Sequence, residues 1–527
     1  MPHSSPDLAR LAMTVLQPGF DGTAPPDWLR RALGEGLGGA VLFARNLADP
    51  EQTAELVTGL RRENPAVVVA VDEEGGAVTR LEARTGSSWP GNRALGVADD
   101  VELTERVARQ IGRLLSAADI TLNYAPVVDV NANPANPVIG IRSFGPDPGL
   151  VSRHAAAWIT GLQSAGVAAC AKHFPGHGDT VTDSHHALPT VHADLELLRE
   201  RDLPPFRAAV EAGVQAVMCG HLLVPALDPD NPSSLSRRIL TGLLREELGF
   251  GGLLVTDAIE MGAVAALHPP GEIAARALAA GADAICVGVS SPGGESVHAL
   301  REAIVEAVHD GRLPEDRLAE AAARVLALAG WHAGNAARAH DVLPEGPREA
   351  TRARREEEGE ELGLRAARAA MRVVVAKDGS AAPSALSAPP APSALSAPPA
   401  PPILSRPPLV VDIAPRLNPA VDPATPTGLI GAMIELLPDT TGHTVTAETA
   451  KLPDLGDRER PLVLVVHDAL RHAWVRDLLA QAVRLRPDAI VVETGLPGEP
   501  AGAVYIATHG ISRASAQAVA LWLTGGQ

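Results

Sequence analysis

The sequence predicts a (β/α)8 TIM-type barrel followed by a smaller three-layer αβα sandwich, on three observations. Short apolar runs alternate with helical patterns from the start to about residue 330. The runs show no clean polar alternation, which suits parallel strands covered on both faces. Five of them end abruptly in charged or titratable residues, as barrel strands do at the mouth that carries chemistry. A doubly wound sheet stays open as the alternative, because eight candidate strands rest on pattern counting alone.

In chain order the candidate strands are Ala12–Leu16, Gly39–Phe43, Ala66–Val71, Ile120–Tyr124, Val167–Ala171, Ala216–Cys219, Gly252–Val255 and Ala284–Val287. Between most of them lie helical patterns, among them Val101–Ala118, Leu195–Ala212 and Gly271–Ala280. Pro314–Leu328 reads as a closing helix, with the proline in its first turn where a missing N–H costs nothing. The barrel is therefore expected over 1–345, a linker helix over 346–371 whose charged stretch Arg348–Glu361 reads as solvated, and the sandwich over 372–527. Sandwich strands are expected at Arg372–Ala376, Pro408–Ile413, Leu462–Val466, Ala489–Val492 and Ala503–Ala507, in a parallel sheet. Few strand signals lie in Gly442–Leu455, which suggests a reduced second domain. An insertion at 380–407 contains a tandem repeat, APSALSAPP at Ala382–Pro390 and again at Ala391–Pro399, whose composition predicts disorder.

Composition narrows the function classes. A chain of 527 residues has length for two domains. Its formal charge of -18, with no basic stripe, argues against nucleic acid as a partner. Cys170, Cys219 and Cys286 all sit in apolar runs, which reads as buried free thiols rather than disulfides. No basic segment followed by an apolar stretch opens the chain, and no apolar run is long enough to span a bilayer. The expectation is a cytoplasmic protein with no membrane partner.

The chemistry concentrates in Lys172-His173-Phe-Pro-Gly-His177-Gly-Asp179-Thr, followed by Asp183-Ser-His185-His186. Pro175, Gly176 and Gly178 forbid a regular helix, so a strand opens here into a tight loop. His173 and His177 have the spacing of a helical zinc pair, but without a helix they do not share a face, and metal is the weaker reading. A polar loop with satisfied histidines is the plain alternative. It leaves Asp183-x-His185 unexplained, since a carboxylate two residues away can orient an imidazole and tune it for proton transfer. Other strand endings add Asp72-Glu73-Glu74, Asp129, His221 and Asp257. His467, Asp468 and His509 follow strands in the second domain, where surface or capping roles are expected.

The 172–185 stretch resembles the signature loop of bacterial β-N-acetylglucosaminidases of glycoside hydrolase family 3. Four further segments agree in family order: Leu42-Phe-Ala-Arg-Asn46, Asp72-Glu-Glu-Gly-Gly76, Ile139-Gly-Ile-Arg142-Ser-Phe-Gly145 and Val255-Thr-Asp257-Ala-Ile-Glu-Met261. The resemblance implies that Asp257 is the nucleophile, His185 the general acid/base and Asp183 the group that holds it. It also implies that Asp72, Arg142, Lys172 and His173 bind the sugar, a small carbohydrate substrate, without metal or other cofactor. His177 and Asp179 are expected to shape the loop, and His221 and Asp129 are left without a role.

Two departures stand out. Ala258-Ile259 follow Asp257 where compact members often have aspartate and leucine, and Ala77 stands where many have arginine. The implied activity is retaining, exo-acting release of terminal β-linked N-acetylglucosamine, from muropeptides in cell-wall recycling by family analogy. A phosphorylase using the same residues and an inactive sugar-binding protein are the alternatives. A metal-dependent hydrolase is the outside case. The sequence is silent on oligomeric state.

Overall fold

A computed structural model describes residues 6–341, 348–376, 404, 406–426 and 428–526. The tandem repeat falls outside the described residues. The chain divides into two compact units. The first gathers residues of Met1–Glu74, Val101–Ile139 and Gly145–Pro347. The second gathers Gly75–Asp100, Gly140–Phe144 and Arg348–Gln527, so two excursions from the barrel sequence cluster with it.

The first unit is an eight-stranded parallel barrel. Its strands are β1 (Leu16–Pro18), β2 (Gly39–Leu42), β3 (Val68–Val71), β4 (Leu122–Asn123), β5 (Ala168–Phe174), β6 (Ala216–Cys219), β7 (Leu253–Thr256) and β8 (Ile285–Val287). β2 to β7 pair in consecutive order, β1 pairs with β8, and parallel bridges Gly19–Val41 and Val255–Ala284 close the ring. A doubly wound sheet would reverse order somewhere, and this one does not. Alternate residues such as Val68 and Ala70, Ala168 and Cys170, and Leu253 and Val255 join one buried cluster. Only inside a closed ring can one face of β2 through β8 meet, so this cluster fills the barrel. Around it, helix starts are set by local chemistry. The Asp49 carboxylate accepts from Gln52 N–H at 2.8 Å ahead of Pro50, and the Asp147 carboxylate accepts from Leu150 N–H at 2.6 Å ahead of Pro148.

Several boundaries differ from those expected. Ala12 belongs to the helix Pro6–Thr14, and the first strand starts only at Leu16. The run Leu8, Leu11, Ala12 fits a helical face as well as a strand, and periodicity cannot separate the two over so short a span. β5 runs on through Lys172 and His173 to Phe174, with a register shift against β6 between Lys172 and Phe174. The sequence places the strand's end at Ala171, where charge begins, yet Lys172 and His173 are strand residues.

The second unit is a sheet in the order β11-β10-β12-β13-β14-β9. The strands are β9 (Arg372–Val375), β10 (Leu409–Ile413), β11 (Thr441–Val445), β12 (Leu462–Val466), β13 (Ile490–Glu493) and β14 (Val504–Ala507). Five run parallel, and β9 lies antiparallel to β14 at the edge, so the sheet is mixed rather than wholly parallel. Leu462, Leu464 and Val466 enter one buried cluster while Val463 and Val465 enter another. Both faces are thus covered, which makes the three layers and explains the unbroken apolar runs. β11 lies where strand signals were sparse, because its residues are mostly exposed and polar. The helix Arg348–Ala370 exposes Glu357, Glu358, Glu360 and Glu361 of the charged stretch, and beyond it buries Leu362, Ala366, Ala367 and Ala370.

His467 and His509 of this unit are buried rather than at the surface. His467 is 1% exposed, with Nε2 2.9 Å from Asp412 Oδ1 and Nδ1 bonded to Thr494 Oγ1. Beside it Glu493 is buried, accepting from the N–H groups of Asp468, Ala469 and Gly495. Burial raises the Glu493 carboxyl to about 8 despite those donors. His467 is also raised, burial being outweighed by the Asp412 carboxylate. For a group raised on folding, the stability it contributes is complete below the unfolded value and lost as pH rises through the folded one. Stability is therefore expected to fall as pH rises from about 4.5 through about 8, by on the order of a few kcal/mol, and Glu493→Gln should flatten the profile. Denaturant titrations across that range are the check, and equal slopes in the two proteins would count against it.

Candidate active site

Four strand ends of the first unit build the site. Asp72 and Glu74 follow β3 and are held there by β4: Glu73 N–H donates to Asn123 Oδ1 at 2.9 Å, and Asn123 Nδ2 donates to the Glu73 carbonyl at 2.8 Å. Residues 72 and 74 then present their carboxylates to one ammonium. Lys172 Nζ donates to Asp72 Oδ1 and to Glu74 Oε1, both at 2.7 Å, and its side chain is 2% exposed. A buried lysine needs such compensation, and two carboxylates around it keep it charged. Sequence reasoning misses Glu74: the resemblance singles out Asp72 of the three consecutive acidic residues, and their spacing adds no ground for Glu74.

Asp129 organises the loop after β5. It has no exposure, and it accepts from His177 N–H at 2.7 Å and from His173 N–H at 3.2 Å. His173 Nδ1 lies 2.7 Å from the other Asp129 oxygen. An ionised carboxylate only accepts, so Nδ1 carries the proton and Nε2 is left for other partners. Asp129 is held below the usual carboxylate range, burial being outweighed by His173 and His177. The turn is packed so closely that a Cβ at Gly178 would lie 1.8 Å from the Val130 carbonyl oxygen.

His177 is enclosed rather than presented. Its Nδ1 lies 2.7 Å from Thr180 Oγ1 and its Nε2 3.2 Å from Ser184 Oγ, and burial pushes the ring down to about 4. Asp179 pairs with Arg201 at 2.9 Å. Asp129→Asn would place an amide against N–H donors in a buried site. It should cost on the order of 3 kcal/mol in unfolding free energy, and a loss under about 1 kcal/mol would mean that the loop does not depend on it.

His185 and Asp183 sit further along the loop. His185 Nδ1 is 2.7 Å from Asp183 Oδ1, and His185 N–H donates to the same oxygen at 2.9 Å. Burial would raise the Asp183 carboxyl, but these bonds to His185 hold it below its ordinary value. An ionised Asp183 fixes the proton on Nδ1 and leaves Nε2 as the exchangeable position.

Asp257 directly follows β7, and its Oδ1 accepts from Ala258 N–H at 2.9 Å. Burial pushes its carboxyl up, but the charges of His173, His221 and His185 turn the net shift downward. His221 is itself anchored, with Nδ1 2.8 Å from Ser234 Oγ and Nε2 donating to the Ala258 carbonyl at 3.1 Å.

The segments carrying Asp257 and His185 are tied by backbone. Gly262 N–H donates to the His185 carbonyl at 3.1 Å and Ala263 N–H to the Ser184 carbonyl at 3.2 Å. A Cβ at Gly262 would come within 2.6 Å of the His186 carbonyl oxygen, so glycine permits that approach. The first unit thus joins Asp72 to Lys172, orients His173 and pairs Asp183 with His185. Arg142 lies on the turn Gly140–Arg142, which clusters with the second unit, where its carbonyl accepts from Asn92 Nδ2 at 2.8 Å. Among the described residues no three His, Cys, Asp or Glu side chains converge as a metal-binding set, and no helix is long and apolar enough to cross a membrane.

Residues 27–328 match the family described as the glycosyl hydrolase family 3 N-terminal domain. Beta-hexosaminidase A of Pseudoalteromonas piscicida is 32% identical over 344 residues, a span covering 60% of this chain and 56% of that protein. The chain therefore spans little more than half the length of that relative. A beta-hexosaminidase of Pseudomonas aeruginosa (strain LESB58) is 40% identical over 255 residues, 47% of this chain and 74% of that one. Among solved structures, a glycoside hydrolase family 3 beta-N-acetylglucosaminidase from Paenibacillus sp. str. FPU-7 superposes with a TM-score of 0.82. Its identity is 33%, over 98% of this chain and 96% of that one. With the family match running through most of the barrel and more than half of the sequence, this chain belongs to glycosyl hydrolase family 3.

Proposed function

We propose that the chain is a retaining, exo-acting glycoside hydrolase that releases terminal β-linked N-acetylglucosamine. The observation that carries this reading is the pairing of an ionised Asp183 with His185 Nδ1 on a loop bonded to the segment after Asp257. A carboxylate oxygen of Asp257 attacks the anomeric carbon as the glycosidic C–O bond breaks, and the leaving oxygen takes the proton from His185 Nε2. Water then gives a proton back to Nε2 and its oxygen displaces Asp257, restoring both groups and the anomeric configuration. The downward shift of Asp257 keeps it anionic for the first step. Asp72, Lys172 and His173 supply an acceptor, a cation and an oriented ring suited to hydroxyl groups, and Arg142 is proposed as a further donor to the sugar.

The choice of sugar rests on the names of the relatives, beta-hexosaminidase and beta-N-acetylglucosaminidase. Muropeptides as the natural source, and a cytoplasmic setting for their recycling, belong to the same proposal. The test is product analysis with a chromogenic β-N-acetylglucosaminide, with and without phosphate, followed by a muropeptide. Release of β-configured N-acetylglucosamine, unaffected by phosphate, is expected. Sugar 1-phosphate would reject hydrolysis, and an α-configured first product would reject retention.

A further inference from the structure

The second unit holds a buried group of side chains that the proposed reaction does not use. At its centre is His509, two residues past β14, 5% exposed and in the left-handed backbone region at φ 57°. Both of its ring nitrogens lack a hydrogen-bond partner among the described residues. A buried polar atom stranded in this way has lost its water without a replacement partner.

Two guanidinium groups act on the ring. Arg372 opens β9 opposite Ala507 and donates through Nη2 to the Val97 carbonyl at 2.9 Å and through Nη1 to the Ala369 carbonyl at 2.7 Å. Arg93, on the helix Asn92–Ala98, donates through Nη1 to the Phe144 carbonyl at 3.2 Å while its Nε has no partner. The adjoining Gly510 brings these segments together, since a Cβ there would stand 2.2 Å from the Pro90 carbonyl oxygen and 3.9 Å from the Ala94 Cβ. Neither arginine has a carboxylate within ion-pair distance among the described residues, for all their partners are neutral carbonyls. Burial, and then the two cations, push His509 down to about 3, so the ring is neutral.

We propose that Arg93, Arg372 and His509 form a binding site for a small oxyanion. The unmet groups include N–H donors, at Arg93 Nε and at one His509 nitrogen, and the local charge is positive without a counter-ion. Water would meet the hydrogen bonds and leave the charge uncompensated. An oxyanion meets both, and guanidinium groups are suited to carboxylate and phosphate geometry.

The test uses the full chain with inorganic phosphate, acetate and chloride at matched ionic strength. Phosphate or acetate is expected to give a saturable rise in melting midpoint of roughly 2–4 °C that chloride does not reproduce. In parallel, the His509 ring resonances should move with the same saturation and its titration should shift upward. Arg93→Gln and Arg372→Gln should each abolish both responses. The proposal is overturned if the wild-type chain shows no saturable response to either oxyanion beyond that to chloride. It is equally overturned if the His509 resonances stay fixed while the midpoint rises, which would place the anion elsewhere, the barrel included. The wild-type resonances decide the matter even where a variant fails to fold.

Discussion

Asp257→Ala is expected to lower turnover of a β-N-acetylglucosaminide on the order of 10⁴-fold or more while leaving the fold intact. Asp257 stands at the end of β7, where a barrel strand delivers its next residue to the mouth, and its backbone N–H donates to the Cys219 carbonyl at 2.9 Å. Its position therefore comes from the sheet rather than from its own side-chain bonds. The carboxyl makes one bond to Ala258 N–H and otherwise feels three imidazoles, an arrangement that favours an anion. The neighbouring Glu260 differs on each count. Burial pushes its carboxyl up, and its Oε1 accepts from Val289 N–H at 2.8 Å, so it is engaged in holding the loop after β8. A fluorinated sugar that traps the glycosyl-enzyme should label a peptide at Asp257. Labelling at Glu260 or Asp183, or an Asp257→Ala protein that retains a tenth of wild-type turnover, would remove Asp257 from the reaction.

Much of this architecture was legible in the sequence because barrel strands buried on both faces leave unbroken apolar runs. β6 falls where that signal places it, and β7 within one residue of it. The ends of β5 and β1 were not legible, for opposite reasons. Lys172 and His173 extend a strand that charge seemed to terminate, because Asp72, Glu74 and Asp129 compensate them from distant positions. Ala12 satisfies a helical period and a strand run equally well.

The same limit applied to the site. Asp183 and His185 are two residues apart, so their pairing could be argued from spacing. Glu74 and Lys172 are 98 positions apart, as 172 − 74 gives, and only the barrel brings them together. Asp129 could be placed at a strand end but not given a task, since its partners include backbone N–H groups, which leave no mark in sequence, and the His173 ring, 44 positions away. Sequence alone points to surface or capping roles for His467 and His509, because their burial in the second unit is a tertiary fact.

His185→Ala is expected to act selectively, and that selectivity separates a proton donor from a binding residue. The ring is 28% exposed, with Nδ1 held by Asp183, so Nε2 is the nitrogen open to substrate and water. Glycosylation needs that nitrogen protonated, whereas deglycosylation needs it free to take a proton from water, and an imidazole has one nitrogen for Asp183 and one for each of these transfers. For alkyl or sugar leaving groups, which depart poorly as anions, loss of the donor should lower kcat/KM by on the order of 10²–10⁴-fold. For an activated phenol, which leaves without protonation, kcat/KM should change little, and deglycosylation should become rate-limiting. The glycosyl-enzyme should then accumulate and be discharged faster by added azide, which needs no general base. Asp183→Asn should reproduce part of the defect, because the amide can turn either end to Nδ1 and no longer fixes the tautomer or stabilises the charged ring. It should also shift the acidic and basic limbs of the rate profile, a change that mere loss of packing would not produce. Equal loss across all leaving groups in His185→Ala, with no azide rescue, would mean that the ring binds substrate and that another group moves the proton.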